Sequence, residues 1–561
     1  MADTVQQELD RRYLALQTDR DRYKPLWRST TKLCAPRHGR WLTTERNDGE
    51  YKHKDILHEA GLFARRILSA GLMSGMTSPS RPWMELTIDD INRAQYQPHK
   101  LWLRTVRDRM LTIFRASNIY TGLFSIYNEL GPIGTAAAVL DESYDTVIHM
   151  HPNTVGQYVL ATDEHGRVNA LFREYEMTVE QIYGKFVTKH GTDVLPQNII
   201  NAYDNGNYDD AFPVRHAIRP RRDFEPGALN GRRFPVQSVY WLPQGTNHKG
   251  ERLLDDTGYE ETPLVAPRWD VVGNDVYGYG PGEDSLGSLR ALQYMEKDFH
   301  VAIAMAARPP TAVPIGMKKG GGSLMPGGRV YVPDGYKEQI YPIYNTRPDI
   351  GSFNGERQNV AERIYQAFYA DVITAISSLR RQGGGADPTA TEIQEIVGEK
   401  LVMLGPVIER MQVELIEPII DRTFSIMVRK GLVPPPPPDM QGHKLKVNHI
   451  STLAQAQRSV ATGAIQRSTQ FMMAYANVIP EVVDNVNHDE VLREYMQMQG
   501  LPPSGINPRD AVAAERQRRE EQQRQQASIE SASQMAAAVK DVGAIETRGG
   551  HSNVVADLAG L

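Results

Sequence analysis

Two adjacent cations, Arg380 and Arg381, are the residues best placed to do chemistry, carried with Gln382 on the stretch from Leu379 to Thr391. Their chemistry is charge, not turnover: a guanidinium attracts and hydrogen-bonds anions and keeps its proton at any physiological pH. Gly383, Gly384 and Gly385 follow at once. Three glycines in a row have little backbone preference, so the cations ride on a loop that can shift. Long helical patterns flank it, from about Asn354 to Ser378 and from about Thr389 to Lys430. The segment reads as a part that touches something anionic and moves; a solvated linker between two helices fits the same composition equally well.

Other chemistries find little support. Gly278, Gly280 and Gly282 do not have dinucleotide-loop spacing, and the acids that follow, Glu283 and Asp284, would repel a pyrophosphate. Lys318, Lys319 and Gly320, followed by Gly321, Gly322 and Ser323, share the composition of a phosphate loop but lack its Gly-Lys-Ser/Thr order. The segment Gly71 to Gly75 is out of register for a nucleophile elbow. His149 and His151 would share one face of a strand, but two imidazoles without a nearby carboxylate pair read as a surface or packed pair. Asp255 and Asp256 read as a turn. The expectation is a protein without a cofactor, a metal or catalysis of its own.

Bulk properties agree. At 561 residues the chain has room for roughly three to four structural units. With 63 basic and 68 acidic residues it is slightly acidic, so it does not coat nucleic acid by counterion release, and any DNA contact must be local. Cys34 is the only cysteine, which excludes an intrachain disulfide and a cysteine metal cluster. No run of about 18 apolar residues is present, so no membrane segment is expected.

The elements that position these residues are mixed. Helical patterns cover residues 4–33, Lys54 to Met73, about Pro98 to Ser117, and onward to Leu130. Strands are expected at Trp83 to Ile88 and then through residues 135–272, with one helical insert near Thr178 to Lys189. A helix opening at Glu283 ends at Arg308-Pro309-Pro310, and residues 311–350 form a small β segment before the chain returns through the Asn354 helix. A β module between two helices of similar length suits an antiparallel stalk with a cap. Pro406 and Pro418 should bend the following helix without ending it, because its apolar stripe runs past both. Prolines 434–438 make a stiff linker, Lys444 to Ile450 a strand, and the arginine- and glutamine-rich stretch after Ala511 an exposed helix. The fold class is α+β.

The order of motifs resembles the head-to-tail connector, or portal, proteins of short-tailed double-stranded DNA bacteriophages. The pieces are Trp27 with Pro36-Arg37-His38-Gly39, the segment from Ala70 to Trp83, Tyr277 to Gly282, Arg308-Pro309-Pro310, Thr389 to Ile393, Leu404-Gly405-Pro406, and Gly431 to Pro435. Their collinearity, spanning most of the chain to about residue 500, is more specific than any one of them.

The resemblance implies a portal-type architecture. Residues 1–281 and 391–450 would form an α/β wing, 282–309 and 354–378 a two-helix stem, and 310–353 a small β-rich clip. Residues 379–390 would be a tunnel loop, 451–505 a helical crown, and 506–561 a C-terminal barrel helix and tail. It implies a dodecameric ring at one capsid vertex, assembled in the host cytoplasm, through which double-stranded DNA is packaged and ejected. Arg380, Arg381, Gln382 and Gly383 to Gly385 would face that DNA without sequence preference. Lys318, Lys319 and Gly320 would lie in a clip loop that docks partners. The implied partners are the terminase large subunit, then a tail adaptor, together with the major capsid and scaffolding proteins. A tail or baseplate-type adaptor that takes no part in packaging is the alternative.

Overall fold

The computed structural model describes residues 5–374, except 42–46, 48, 50–51, 53, 89–95, 248–249, 316–320, 334–340 and 343–349, and then residues 403–440, 445–449, 468–469, 471–472, 486–498, 507 and 509–546. It divides into two compact units, Met1–Arg467 and Ser468–Leu561.

The first unit mixes helices with mainly antiparallel sheets. Helix α1 (Val5–Asp21) and helix α2 (Lys24–Cys34) replace the single helix expected over 4–33, and Pro25 sits in the first turn of α2. Proline is tolerated there because its missing N–H would have no helical partner. Helix α3 (Ala60–Met76) begins later and ends later than the pattern from Lys54 to Met73 predicts. Strand β1 (Met84–Ile88), helix α4 (Gln97–Ala116) and helix α5 (Ile119–Ile133) follow. Helix α5 is apolar on nearly every face and is correspondingly the central helix of the largest core.

Strands β2 (Ala137–Ser143) and β3 (Val147–Asn153) form a hairpin. Strands β4 (Tyr158–Thr162), β5 (Val168–Thr178), β6 (Ala211–Pro220), β7 (Val236–Trp241) and β8 (Leu253–Tyr259) then make a five-stranded antiparallel sheet in sequence order. Their period-2 pattern separates two cores. Ala170 and Phe172 face α1, packing with Leu9, Tyr13 and Trp241, whereas Leu171 and Ile218 face the cluster around Trp27. A helical insert over residues 179–190, opened by a capping box between Thr178 and Gln181, and a helix α6 (Gln197–Asp204) connect β5 to β6. Asp255 and Asp256 lie within β8 and not in the turn their composition predicts: Asp255 is buried, its carboxylate 2.9 Å from His190 Nε2, and Asp256 accepts from Arg221. Strand β9 (Leu264–Val265) adds to β2.

Next come helix α7 (Leu286–Ala307), a three-stranded sheet of β10 (Thr311–Pro314), β11 (Arg329–Val332) and β12 (Tyr341–Pro342), and helix α8 (Ile350–Ala367). Helix α8 starts earlier than expected and breaks just beyond its end, where Tyr369 has φ 53°. The Thr389 to Lys430 pattern is described from residue 403 onward, as α9 (Gly405–Met411), a π-helical turn Gln412–Ile416, and α10 (Glu417–Arg429). Pro418 sits in the first turn of α10 directly after the π turn, so the helix runs on through it; Pro406 sits in the first turn of α9, which begins at Gly405 after a turn at Leu404. Two buried arginines fasten this region: Arg268 Nη2 lies 2.6 Å from Glu414 Oε1, and Arg422 donates to Glu261 and to the Leu140 carbonyl. Strand β13 (Leu445–His449) closes the unit by pairing with β1 along its full length.

In the second unit the described helices are α11 (His488–Met498) and α12 (Arg509–Glu546), joined by a two-pronged Arg516–Asp489 ion pair. The side chains of α12 over residues 511–535 are almost all exposed.

Candidate functional site

The hairpin of α7 and α8 is the candidate site, and its root is built from glycine. The turn Tyr277 to Gly282 lies against the end of α5, backbone on backbone. A Cβ on Gly280 would stand 2.6 Å from the Gly131 carbonyl and 2.7 Å from the Leu130 carbonyl. One on Gly282 would stand 2.7 Å from Pro132 Cα. Gly134, at φ 73°, ends α5 and meets the same turn from the other side. These glycines permit close packing of two chain segments; they do not cradle a phosphate.

Glu283 follows, shut in beside Trp27. Both its carboxylate oxygens and the Trp27 indole N–H are buried, and the indole and the Gly280 backbone are polar groups that face the carboxyl. Burial pushes the Glu283 carboxyl up to about 8, with the neighbouring Asp284 charge adding to the effect. The folded state therefore prefers the neutral acid. Its stabilising contribution is fully present below the ordinary glutamate value of 4.5 and is lost as pH rises through about 8. Glu283→Gln should remove that loss. Thermal melts of parent and variant should diverge steadily from pH 5 to pH 8, with the variant higher at pH 8; parallel melts across that range would refute the assignment.

Above the root, α7 leaves the body. Leu286, Leu289 and Leu292 are buried in the main core, and Gln293 ties the helix to the chain at Leu57 and His58. Beyond Gln293, α8 is its packing partner. Arg357 Nη1 donates to both oxygens of buried Glu296, at 2.9 and 2.8 Å, while its guanidinium lies 4.6 Å from the Phe299 ring centroid. Phe299 in turn stacks on Phe353 at 5.6 Å. No motif pointed to this cluster; only the apolar stripe of α7 signalled that a partner helix was needed. The outer half of α7 stays open on its other faces, leaving Tyr294, Val301 and Ile303 exposed.

The sheet at the tip is irregular. Strand β10 pairs parallel with β11 and antiparallel with β12. The crossover between β10 and β11 is pinned where Gly327 N–H donates to the Arg308 carbonyl, 2.7 Å away, at the end of α7. Lys318, Lys319 and Gly320 of this crossover lie outside the described residues, as do Arg380, Arg381, Gln382, Gly383, Gly384 and Gly385. His149 and His151 are described. Their rings lie 4.5 Å apart, with Asn118 beside the first and Asp141 beside the second. No group of three or more His, Cys, Asp or Glu side chains among the described residues could hold a metal, and no helix among them is long and apolar enough to cross a membrane.

The site is thus a helical hairpin rooted in an α+β body, with a small three-stranded sheet between its two helices. The chain belongs to the bacteriophage head to tail connecting protein family, which it matches over residues 6–506. It is 36% identical over 540 residues to a probable portal protein of Bordetella phage BPP-1, covering 96% of this chain and 95% of that protein. It is 33% identical over 525 residues to the portal protein of Salmonella phage epsilon15, covering 92% of each. Among solved structures it matches a chain from the neck of an empty gene transfer agent particle at 13% identity, with a TM-score of 0.26 over 60% of this chain and 73% of that one. That likeness is too slight to carry an argument.

Proposed function

We propose that this chain is the portal of a phage virion: a closed, dodecameric ring at one capsid vertex that conducts double-stranded DNA during packaging and ejection. The observation that carries the reading is the α7–α8 stem. It is held to its partner helix by Glu296, Arg357, Phe299 and Phe353, yet leaves Tyr294, Val301 and Ile303 in solvent. Apolar side chains on a projecting hairpin are a surface for neighbours. Neighbours related head to tail close into a ring. The long exposed α12 has the same need for company.

On this reading residues 1–281 and 391–450 are the wing, 282–309 and 354–378 the stem, 310–353 the clip, 451–505 the crown, and 506–561 the barrel and tail. The clip, with Lys318, Lys319 and Gly320 in its crossover, receives the terminase large subunit during packaging and a tail adaptor afterwards. The wing meets the capsid and scaffolding proteins. Arg380 and Arg381 face the channel. Hydrolysis of ATP belongs to the terminase, so the isolated ring should turn over no nucleotide.

Native mass spectrometry of the purified full chain tests the proposal. A single high-order closed oligomer is expected. A stable monomer or dimer under all solution conditions would rule the ring out.

A further inference from the structure

The β2–β3 hairpin carries a projecting side chain at one end and a cleft at the other. At its tip, Tyr144 stands fully in solvent. The turn beneath it is held firmly: Thr146 N–H donates to Ser143 Oγ, Thr146 Oγ1 donates to the Ile148 carbonyl at 2.9 Å, and Lys430 Nζ donates to the Ser143 carbonyl. Val147 next to it has φ 70°, a conformation a β-branched residue seldom adopts. Asp145 is exposed and makes no ion pair among the described residues. The Lys430 ammonium lies 5.8 Å from the Tyr144 ring centroid, and an aromatic ring presented on a bonded turn is a good anchor for an interface.

The cleft, about 200 Å³ and open to solvent, lies at the base of the hairpin between the loop carrying Arg37 and the outer face of α5. Ile126 and Pro152 give it apolar walls, Ser125 and Asn153 polar ones, and Arg37 stands at its rim. Arg37 is exposed, and its guanidinium has no carboxylate partner among the described residues. The loop is rigid. Gly39 N–H donates to Thr154 Oγ1 at 2.9 Å and Arg40 N–H to the Val155 carbonyl at 2.8 Å, and Gly156 lies so close to the Arg40 carbonyl that any Cβ there would overlap it. The one acid in the cleft, Glu129, is engaged by Thr154, by Val155 N–H and by His38.

We propose that Tyr144 and Asp145 of one subunit seat in this cleft of the next copy of the chain, with Asp145 against Arg37. The inference rests on the ring reading above and names the contact that repeats around it. Tip and cleft are separated by a seven-residue strand, roughly 20 Å. Two unlike patches suit a head-to-tail contact; a two-fold contact would pair a patch with itself. Arg37 of the motif Pro36-Arg37-His38-Gly39 thereby acquires a role. Charge complementarity fixes the register, and the ring of Tyr144 supplies the buried apolar surface.

The test uses the full chain. Thr146→Cys, which keeps Tyr144 and Asp145, combined with Ser125→Cys should, on oxidation of assembled rings, give a ladder of cross-linked species well above dimer on a non-reducing gel. Each single-cysteine variant should give none. The native Cys34 is buried, and the hairpin length prevents a bridge within one chain. In parallel, Asp145→Arg and Arg37→Glu should each lower the assembled fraction about tenfold, and the double reversal should restore it. Rings that form normally yet yield no ladder overturn the contact, as does a double reversal no better than the singles. If the parent chain itself fails to oligomerise, the ring reading falls and takes this contact with it.

Discussion

Gly134→Ala should destabilise the first unit by about 3 kcal/mol or more, measured as a shift in the urea midpoint. Two costs combine. The residue sits at φ 73°, where a Cβ costs about 1 kcal/mol. That Cβ would also overlap the Tyr279 carbonyl carbon and stand 2.5 Å from Gly280 N and 2.7 Å from the Gly278 carbonyl oxygen. Backbone on both sides cannot swing away as a flexible side chain can. The joint is also bonded through its main chain, with Trp269 N–H donating to the Gly134 carbonyl and Gly278 N–H to Thr135 Oγ1. Gly166→Ala is the matched control. It has the same φ of 73° but nothing within 4 Å of the added carbon, so only the conformational cost of about 1 kcal/mol should appear. Equal shifts in the two variants would show that the close approach of the stem root to α5 is not what holds the joint.

Replacing Arg380 and Arg381 together with alanine should leave ring assembly intact and impair completion of packaging or retention of packaged DNA. The two residues lie between the helical stripes of the sequence, so subunit contacts are not expected to depend on them. A solvated arginine–phosphate contact is individually weak and screened by salt, but a ring of such contacts can centre or clamp a duplex without reading its bases. Gly383 to Gly385 would let each loop shift independently, so that contacts need not match the DNA repeat. The difference between parent and variant should be largest at low salt and narrow as salt is raised, because screening removes the same contacts from the parent. A double variant that packages and retains a full genome like the parent would reduce the segment to a linker.

Much of the fold was legible because it follows from period and punctuation. The alternation in β5 and β6, the apolar stripe of α7, the double proline after Arg308 and the glycine after Lys430 each act locally, and each element appears close to where its pattern sits. What was not legible depends on partners distant in sequence. Strand β8 was masked by an Asp-Asp-Thr-Gly run that reads as a turn; it extends because Gly258 packs close to Phe234 and the Val236 carbonyl while His190 and Arg221 satisfy the two acids. The parallel β10–β11 pair could not be seen because its crossover has no helical pattern to announce it. The glycines at 278, 280 and 282 were visible as punctuation, but their purpose became clear only against α5. The candidate site divides similarly. Helix–sheet–helix order was visible, whereas the Glu296–Arg357 pair that locks the stem was not, because the two residues are far apart in sequence and neither belongs to a motif. The collinear motifs carried the family resemblance, since it rests on their order along the chain and not on contacts between distant residues.

Electron microscopy of the purified full-length protein, averaged over end-on views, addresses the ring directly. The expected average is a closed ring of repeated subunits around an open central channel, with twelve-fold symmetry. Averages showing only compact monomers or dimers, open filaments, or closed particles without a channel would contradict it.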